Sequence, residues 1–139
     1  MRRSLVIALA LGLLSVPATA APVESDAVVL AVGGTPLTNG LFFPGTVVSD
    51  GQGYQGLPPV QIRQGMDFEF VNLDDAVAAN GHKIISIKRR KGRPLFQSDL
   101  LTKPGERSLV ITSHLKRGAY LYYCSTHAGM LGRIEIVGS

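Results

Sequence analysis

Three side chains of the kind that bind soft metals fall within seven residues near the C-terminus: Cys124, His127 and Met130, spaced C-x-x-H-x-x-M. They offer a thiolate, an imidazole and a thioether. Sulfur ligands combined with imidazole favour copper, which also stands at the top of the divalent affinity order. A trigonal set of two His and one Cys, with a long and weak axial Met, is the arrangement of copper electron-transfer centres. The loop supplies one imidazole, so another must come from elsewhere. His82, at the start of an apolar run, is the candidate. Four protein ligands leave no open position for substrate, unlike a catalytic metal site. The chemistry expected is transfer of one electron at a time.

Plainer readings stand beside these. His82 also reads as an ordinary hydrogen-bonded histidine, and Met130 as core filling. His114 lies in a polar turn and reads as a surface residue. Met66 and the Phe42-Phe43 pair read as core. Asp74 and Asp75 read as a solvated loop, since nothing basic or nucleophilic is placed to work with them. Lys88, Arg89, Arg90, Lys91 and Arg93 put five positive charges in six residues. That run is either a solvated hairpin turn or a surface that steers an acidic partner. Without interleaved aromatics it does not point to nucleic acid.

The elements that must position these groups look like strands. Ala27–Val32 is apolar and β-branched and ends at Gly33-Gly34; Leu41–Val48 follows, with Pro44 breaking it or marking an edge. Residues 49–59 hold several Pro and Gly breakers and read as a loop. Val60–Arg63 and Asp67–Asn72 alternate apolar with polar, and Gly65 turns between them. Leu73–Gly81 is a loop with a short helical turn expected near Asp74–Val77. Strands are expected again over His82–Ile87, Arg107–Thr112, Gly118–Cys124 and Arg133–Val137. Seven to eight short strands with Gly- and Pro-rich turns predict an all-β fold, an antiparallel β-sandwich. Alternation puts Tyr120, Tyr122 and Cys124 on one face and Tyr123 on the other. Cys124 must face inward to meet His82, 42 positions earlier.

Length and composition agree with one small exported domain. Met1-Arg2-Arg3, an apolar run over Leu5–Leu14 and Ala18-Thr19-Ala20 have the form of a signal peptide, residues 1–20. The remaining residues, 21–139, suit a single domain with one core. Without Arg2 and Arg3, 12 basic residues face 10 acidic ones, a net charge of +2, which predicts no nucleic-acid partner. No second segment is long and apolar enough to span a membrane. A lone Cys in an exported chain forms no internal disulfide, and coordination would explain it.

Together these residues resemble the cupredoxin family, the plastocyanin and amicyanin branch in particular. The resemblance is carried by Gly118, Tyr120, Tyr122, Tyr123, Cys124, Ser125, His127, Gly129, Met130 and Gly132, and more weakly by Pro59–Asn72 and Asn80-Gly81-His82. It covers roughly the last 80 residues well and the earlier part loosely. It implies a Greek-key sandwich and one type 1 copper held by His82, Cys124, His127 and Met130. It also implies a backbone N–H after the first His donating to the Cys sulfur. Lys83 stands where the family usually has Asn, and Gly81 where it often has Pro; Asn80 is a candidate to supply the missing side-chain support. His127 should be partly exposed within a small apolar ring of Ala128, Gly129 and Leu131, with Leu57-Pro58, forming the electron exit. Tyr123 matches a surface tyrosine that serves as a further entry point.

The expected function is a monomeric, exported blue copper carrier, periplasmic or extracellular, docking transiently to a redox donor and acceptor. An alternative is a copper-delivery protein with the metal as cargo, although Met-rich and His-rich tracts are absent. An enzyme with further His-built copper sites is not expected from three His in total. A metal-free sandwich would leave the Cys–His–Met grouping unexplained.

Overall fold

Apolar side chains at every second position cover one face of the longer strands, and burial follows that period in Val60–Arg63, Gly118–Cys124 and Leu131–Val137. The computed structural model describes residues 25–32, 40–49, 54–56, 58–74 and 80–138. Val60–Arg63 runs buried, exposed, buried, exposed, and Leu131–Val137 alternates throughout. The described residues form twelve short strands: β1 (Ser25–Val32), β2 (Leu41–Phe43), β3 (Thr46–Ser49), β4 (Tyr54–Gly56), β5 (Val60–Arg63), β6 (Asp67–Asn72), β7 (Ile84–Ser86), β8 (Arg89–Arg90), β9 (Arg93–Pro94), β10 (Arg107–Val110), β11 (Gly118–Cys124) and β12 (Leu131–Val137). The described residues contain no helix.

One sheet has the order β10-β6-β1-β2 and the other β4-β3-β12-β11-β7, with β5 alongside β12; β8 and β9 form a separate hairpin. Val29, Ala31, Phe42, Phe68, Phe70 and Val110 from the first sheet are buried with Val60, Ile62, Ile84, Tyr122, Ile134 and Ile136 from the second. This is the expected all-β sandwich.

Its strands are more numerous and less uniformly antiparallel than the sequence suggested. Leu41–Val48 divides at Pro44-Gly45 into β2 and β3, which enter different sheets. β4 lies inside the expected 49–59 loop and pairs only with β3. Two pairs, β1 with β6 and β5 with β12, are parallel. Alternation fixes which face a side chain takes and says nothing of strand direction. Phe43, read as core, is 57% exposed while Phe42 is fully buried, because neighbours on a strand face opposite ways. Met66 is half-buried against the core. The expected processing segment 1–20, Gly33-Gly34, Leu57 and the helical turn beyond Asp74 lie outside the described residues.

The strand that leads to Cys124 is locked by a close approach. Tyr122 on β11 stands opposite Gly132 on β12. A Cβ on Gly132 would sit 2.2 Å from Tyr122 Cζ. The Tyr122 ring is fully buried and meets Phe42 edge-on at 4.8 Å, so it has no free space to retreat into. Gly132→Ala is therefore expected to cost about 1–3 kcal/mol of stability through overpacking. Urea unfolding would show a lower midpoint at unchanged slope; an unchanged midpoint would mean that the tyrosine shifts freely.

Candidate metal centre

Cys124 ends β11 on its inner face, in line with Tyr120 and Tyr122, and is 2% exposed. Its N–H donates to the Met130 carbonyl at 3.0 Å, which closes the 125–129 loop at its base. His82 reaches the same place from the other side. It does not begin a regular strand, as β7 starts at Ile84; instead it pairs with Leu101 through two backbone bonds of 2.8 and 2.9 Å. Gly81 makes that pairing possible. Its φ is +76°, and a Cβ there would lie 2.4 Å from the Leu101 carbonyl oxygen. Two bonds then tie the loops together: Ser125 N–H donates to Lys83 O at 2.9 Å, and the Thr126 hydroxyl donates to Gly81 O.

The result brings three donors around one point. Cys124 Sγ lies 3.6 Å from His82 Nδ1 and 3.4 Å from His127 Nδ1. One ligating atom from each residue falls within 4.8 Å of the others. A single ion bonded to one sulfur and two nitrogens, at angles between tetrahedral and trigonal, would separate S from N by roughly 3.5–3.8 Å. His82, Cys124 and His127 therefore fit one metal ion. Met130 is 1% exposed and shares this turn, its N–H donating to His127 O at 3.4 Å. Its burial is compatible with both core packing and axial donation. A nucleophilic role for a Cys beside two His is disfavoured, because the buried sulfur offers no approach to a substrate.

The thiol is strongly acidified. Burial pushes its pKa up, but the contacts with the His82 imidazole and the Thr126 side chain, together with the Lys83 and Thr126 backbone amides, outweigh burial and bring it to about 6. Burial likewise opposes charge on His82, yet the Cys124 sulfur and the Asp74 carboxylate raise its pKa above the ordinary imidazole value. Lys83 thus keeps the backbone contact the family requires, whatever its side chain.

Two contributors were not identified from the sequence. Thr126 Oγ1 lies 3.0 Å from Cys124 Sγ and 3.2 Å from His127 Nδ1. Its place between two candidate ligands was the available signal. Asp74, read as solvated, bonds to His82 Nε2, and its side chain is only 13% exposed. A separation of eight positions along the chain carries no signal of that contact. Asn80 is exposed, and the side-chain group at the sulfur is Thr126 instead. His127 is half-buried beside exposed Ala128 and Gly129 and half-buried Leu131; Tyr123 is also half-buried. His114 is exposed and donates to Leu95 O at 3.0 Å, as a surface residue would.

No family model matches the sequence, and no curated protein does either. Solved structures do match. A purple cupredoxin from Nitrosopumilus maritimus is 25% identical, with a TM-score of 0.54, over 81% of this chain and 100% of that one. The chain has the cupredoxin fold. A copper-containing nitrite reductase from Thermus scotoductus SA-01 is 26% identical over 91% of this chain, with a TM-score of 0.56. This chain spans only 25% of that enzyme's chain.

The acidified thiol has a direct consequence in the metal-free protein. Ultraviolet thiolate absorbance should titrate near pH 6. The folded-state pKa lies below the unfolded one, so the thiolate stabilises the fold above the ordinary thiol range. That contribution is lost as pH falls through about 6. A thiolate midpoint in the ordinary range, near 8.5, would contradict the hydrogen-bonded sulfur.

Proposed function

We propose that this cupredoxin is an exported blue copper protein that carries single electrons between a donor and an acceptor. The observation that carries the reading is one acidified, buried Cys sulfur with two imidazole nitrogens at one-ion distance. In this reading His82 and His127 would bind through Nδ1 and Cys124 through Sγ, with Met130 as a further, weak sulfur donor. Copper bound there supplies a Cu(I)/Cu(II) couple. The residues around it supply a fixed cage: His82 is held by its backbone, Cys124 by the β11 ladder and its bond to Met130 O, and His127 by the closed loop. Ligands that cannot move far keep the rearrangement on electron transfer small. Burial of His82 and Cys124 keeps bulk water away from the thiolate.

A carrier fits better than an enzyme. The chain has three His in total, and His114 stands apart on the surface, so a second His-built copper site is not available. The nitrite reductase's activity belongs to a chain four times longer than the part matched. Export rests on the signal-like residues 1–20. No helix among the described residues is long and apolar enough to cross a membrane.

Two surfaces are proposed for partners. The half-buried His127, with Ala128, Gly129 and Leu131, forms a small apolar exit suited to brief, low-area docking. The basic hairpin β8–β9 lies at the other end of β7. Cys124 pairs with Ile84 and Tyr122 with Ser86, while Lys88 Nζ sits 5.8 Å above the Tyr120 ring. Tyr120 is roughly 13 Å along β11 from Cys124. An acidic partner held at the hairpin would therefore leave the His127 end free for another.

Adding Cu(II) to the purified protein should produce an intense thiolate-to-copper absorption in the visible. Cys124→Ser should abolish it and His114→Ala should leave it intact; a colourless wild-type complex would sink the carrier reading. For the hairpin, binding of an acidic partner should weaken steeply with ionic strength. Replacing Lys88, Arg89, Arg90, Lys91 and Arg93 with Ser should flatten that dependence. Flat salt dependence in the wild type would remove the hairpin from the account.

A further inference from the structure

We propose that Asp74 is a positioning residue of this centre: its carboxylate fixes the tautomer of His82 so that Nδ1 faces the metal, and its charge favours the oxidised metal. The proposal deepens the copper reading and rests on it.

The imidazole of His82 is fully buried, and its two nitrogens have different partners. Nδ1 faces Cys124 Sγ at 3.6 Å, and Nε2 meets Asp74 Oδ2. In a neutral imidazole one nitrogen donates and the other offers a lone pair, while a carboxylate only accepts. The Cys124 sulfur on Nδ1 and the carboxylate on Nε2 compete for that one proton, and the carboxylate is the closer partner, so the proton belongs on Nε2 and the Nδ1 lone pair is left for a metal. Without the carboxylate, the Cys124 sulfur would be left to draw the proton toward Nδ1, the nitrogen a metal needs free.

Asp74 is itself held in place. Its N–H donates to Asn72 Oδ1 at 2.9 Å. The Asn72 amide, 1% exposed, donates to Lys103 O at 3.1 Å and to Leu101 O at 3.4 Å. Leu101 O also accepts the His82 N–H. Acid and imidazole thus hang from one buried frame around Asn72 and Leu101. A carboxylate on the distal nitrogen raises the basicity of a ligating imidazole. The more highly charged Cu(II) gains more from that than Cu(I), so the pair lowers the reduction potential. Only the electron moves; Asp74 neither gives nor takes a proton in the cycle.

Two variants separate the roles. Asp74→Asn keeps an acceptor and loses the charge, whereas Asp74→Ala loses both. With copper bound, the Asn variant should keep its visible absorption while the ratio of Cu(II) to Cu(I) affinity falls about tenfold, an upward shift of about 59 mV. In metal-free protein at alkaline pH, where imidazole is neutral, nitrogen NMR should find the His82 proton on Nε2 in the wild type and the Asn variant. The Ala variant should show a mixture. An unmoved potential in a coloured Asn variant would overturn the charge effect, and a proton on Nδ1 in the wild type would overturn the tautomer. The metal-free measurement stands even if the wild type fails to bind copper, so the two readings fail separately. Should the Ala variant not fold, the wild type and the Asn variant still decide.

Discussion

The position of one imidazole depends on two backbone hydrogen bonds between His82 and Leu101. A histidine on a free loop would not stay 3.6 Å from a buried sulfur. The pairing is built outward from β7. Ser98 N–H donates to Ile84 O while Ser98 Oγ accepts Ile84 N–H, both at 3.0 Å. Ser86 N–H donates to Phe96 O at 3.0 Å, and Ser86 Oγ accepts from Leu95 and Phe96. Residues 95–101 are thereby laid along β7 and carry Leu101 to His82. Two buried serines, which a hydropathy pattern would count against a core, satisfy the backbone of a segment that forms no regular strand.

The site also shows how a cluster of polar groups is tolerated in the interior. His82 and Asn72 are almost wholly buried, and each polar atom of their side chains has a partner. Unpaired, such groups would cost about 1–3 kcal/mol each. Cys124 is stabilised as an anion by hydrogen-bond donors aimed at its sulfur, two of them backbone amides. Backbone donors are fixed by the fold and do not depend on side-chain identity, which is why Lys83 serves at a position where the family usually has Asn.

What could be read from the sequence was what is local. C-x-x-H-x-x-M put Cys124, His127 and Met130 in one turn, and alternation along β11 turned Cys124 inward. His82 followed from the ligand count and its apolar neighbours. Strand existence was largely legible too, since period-two burial recurs in β5, β6, β11 and β12. Pair direction was not, because the same alternation serves parallel and antiparallel ladders. β4 was hidden by the Gly and Pro breakers around it, and it shows itself only through its pairing with β3. Asp74 was hidden for another reason: its meaning lies in a contact across a loop, and a lone acidic residue in a polar stretch looks solvated. Gly81 was noticed as a departure from a family habit, and its purpose emerged only once the Leu101 carbonyl was seen against it.

The sheets end in small margins. β2, β4 and β7 are three residues long and β10 is four, and these four stand at the edges of the two main sheets. β7 is further covered by the bridge from Ile85 to Gln97. β12, the longest strand of its sheet with β11, shares one flank between β3 and β5 and so has no free side over those residues. A second molecule seeking to extend either sheet would find only a few unsatisfied amides and carbonyls at a time, too short a template for strand addition. Encounters with other proteins would then fall to side chains at the surface, where contacts form and dissolve quickly.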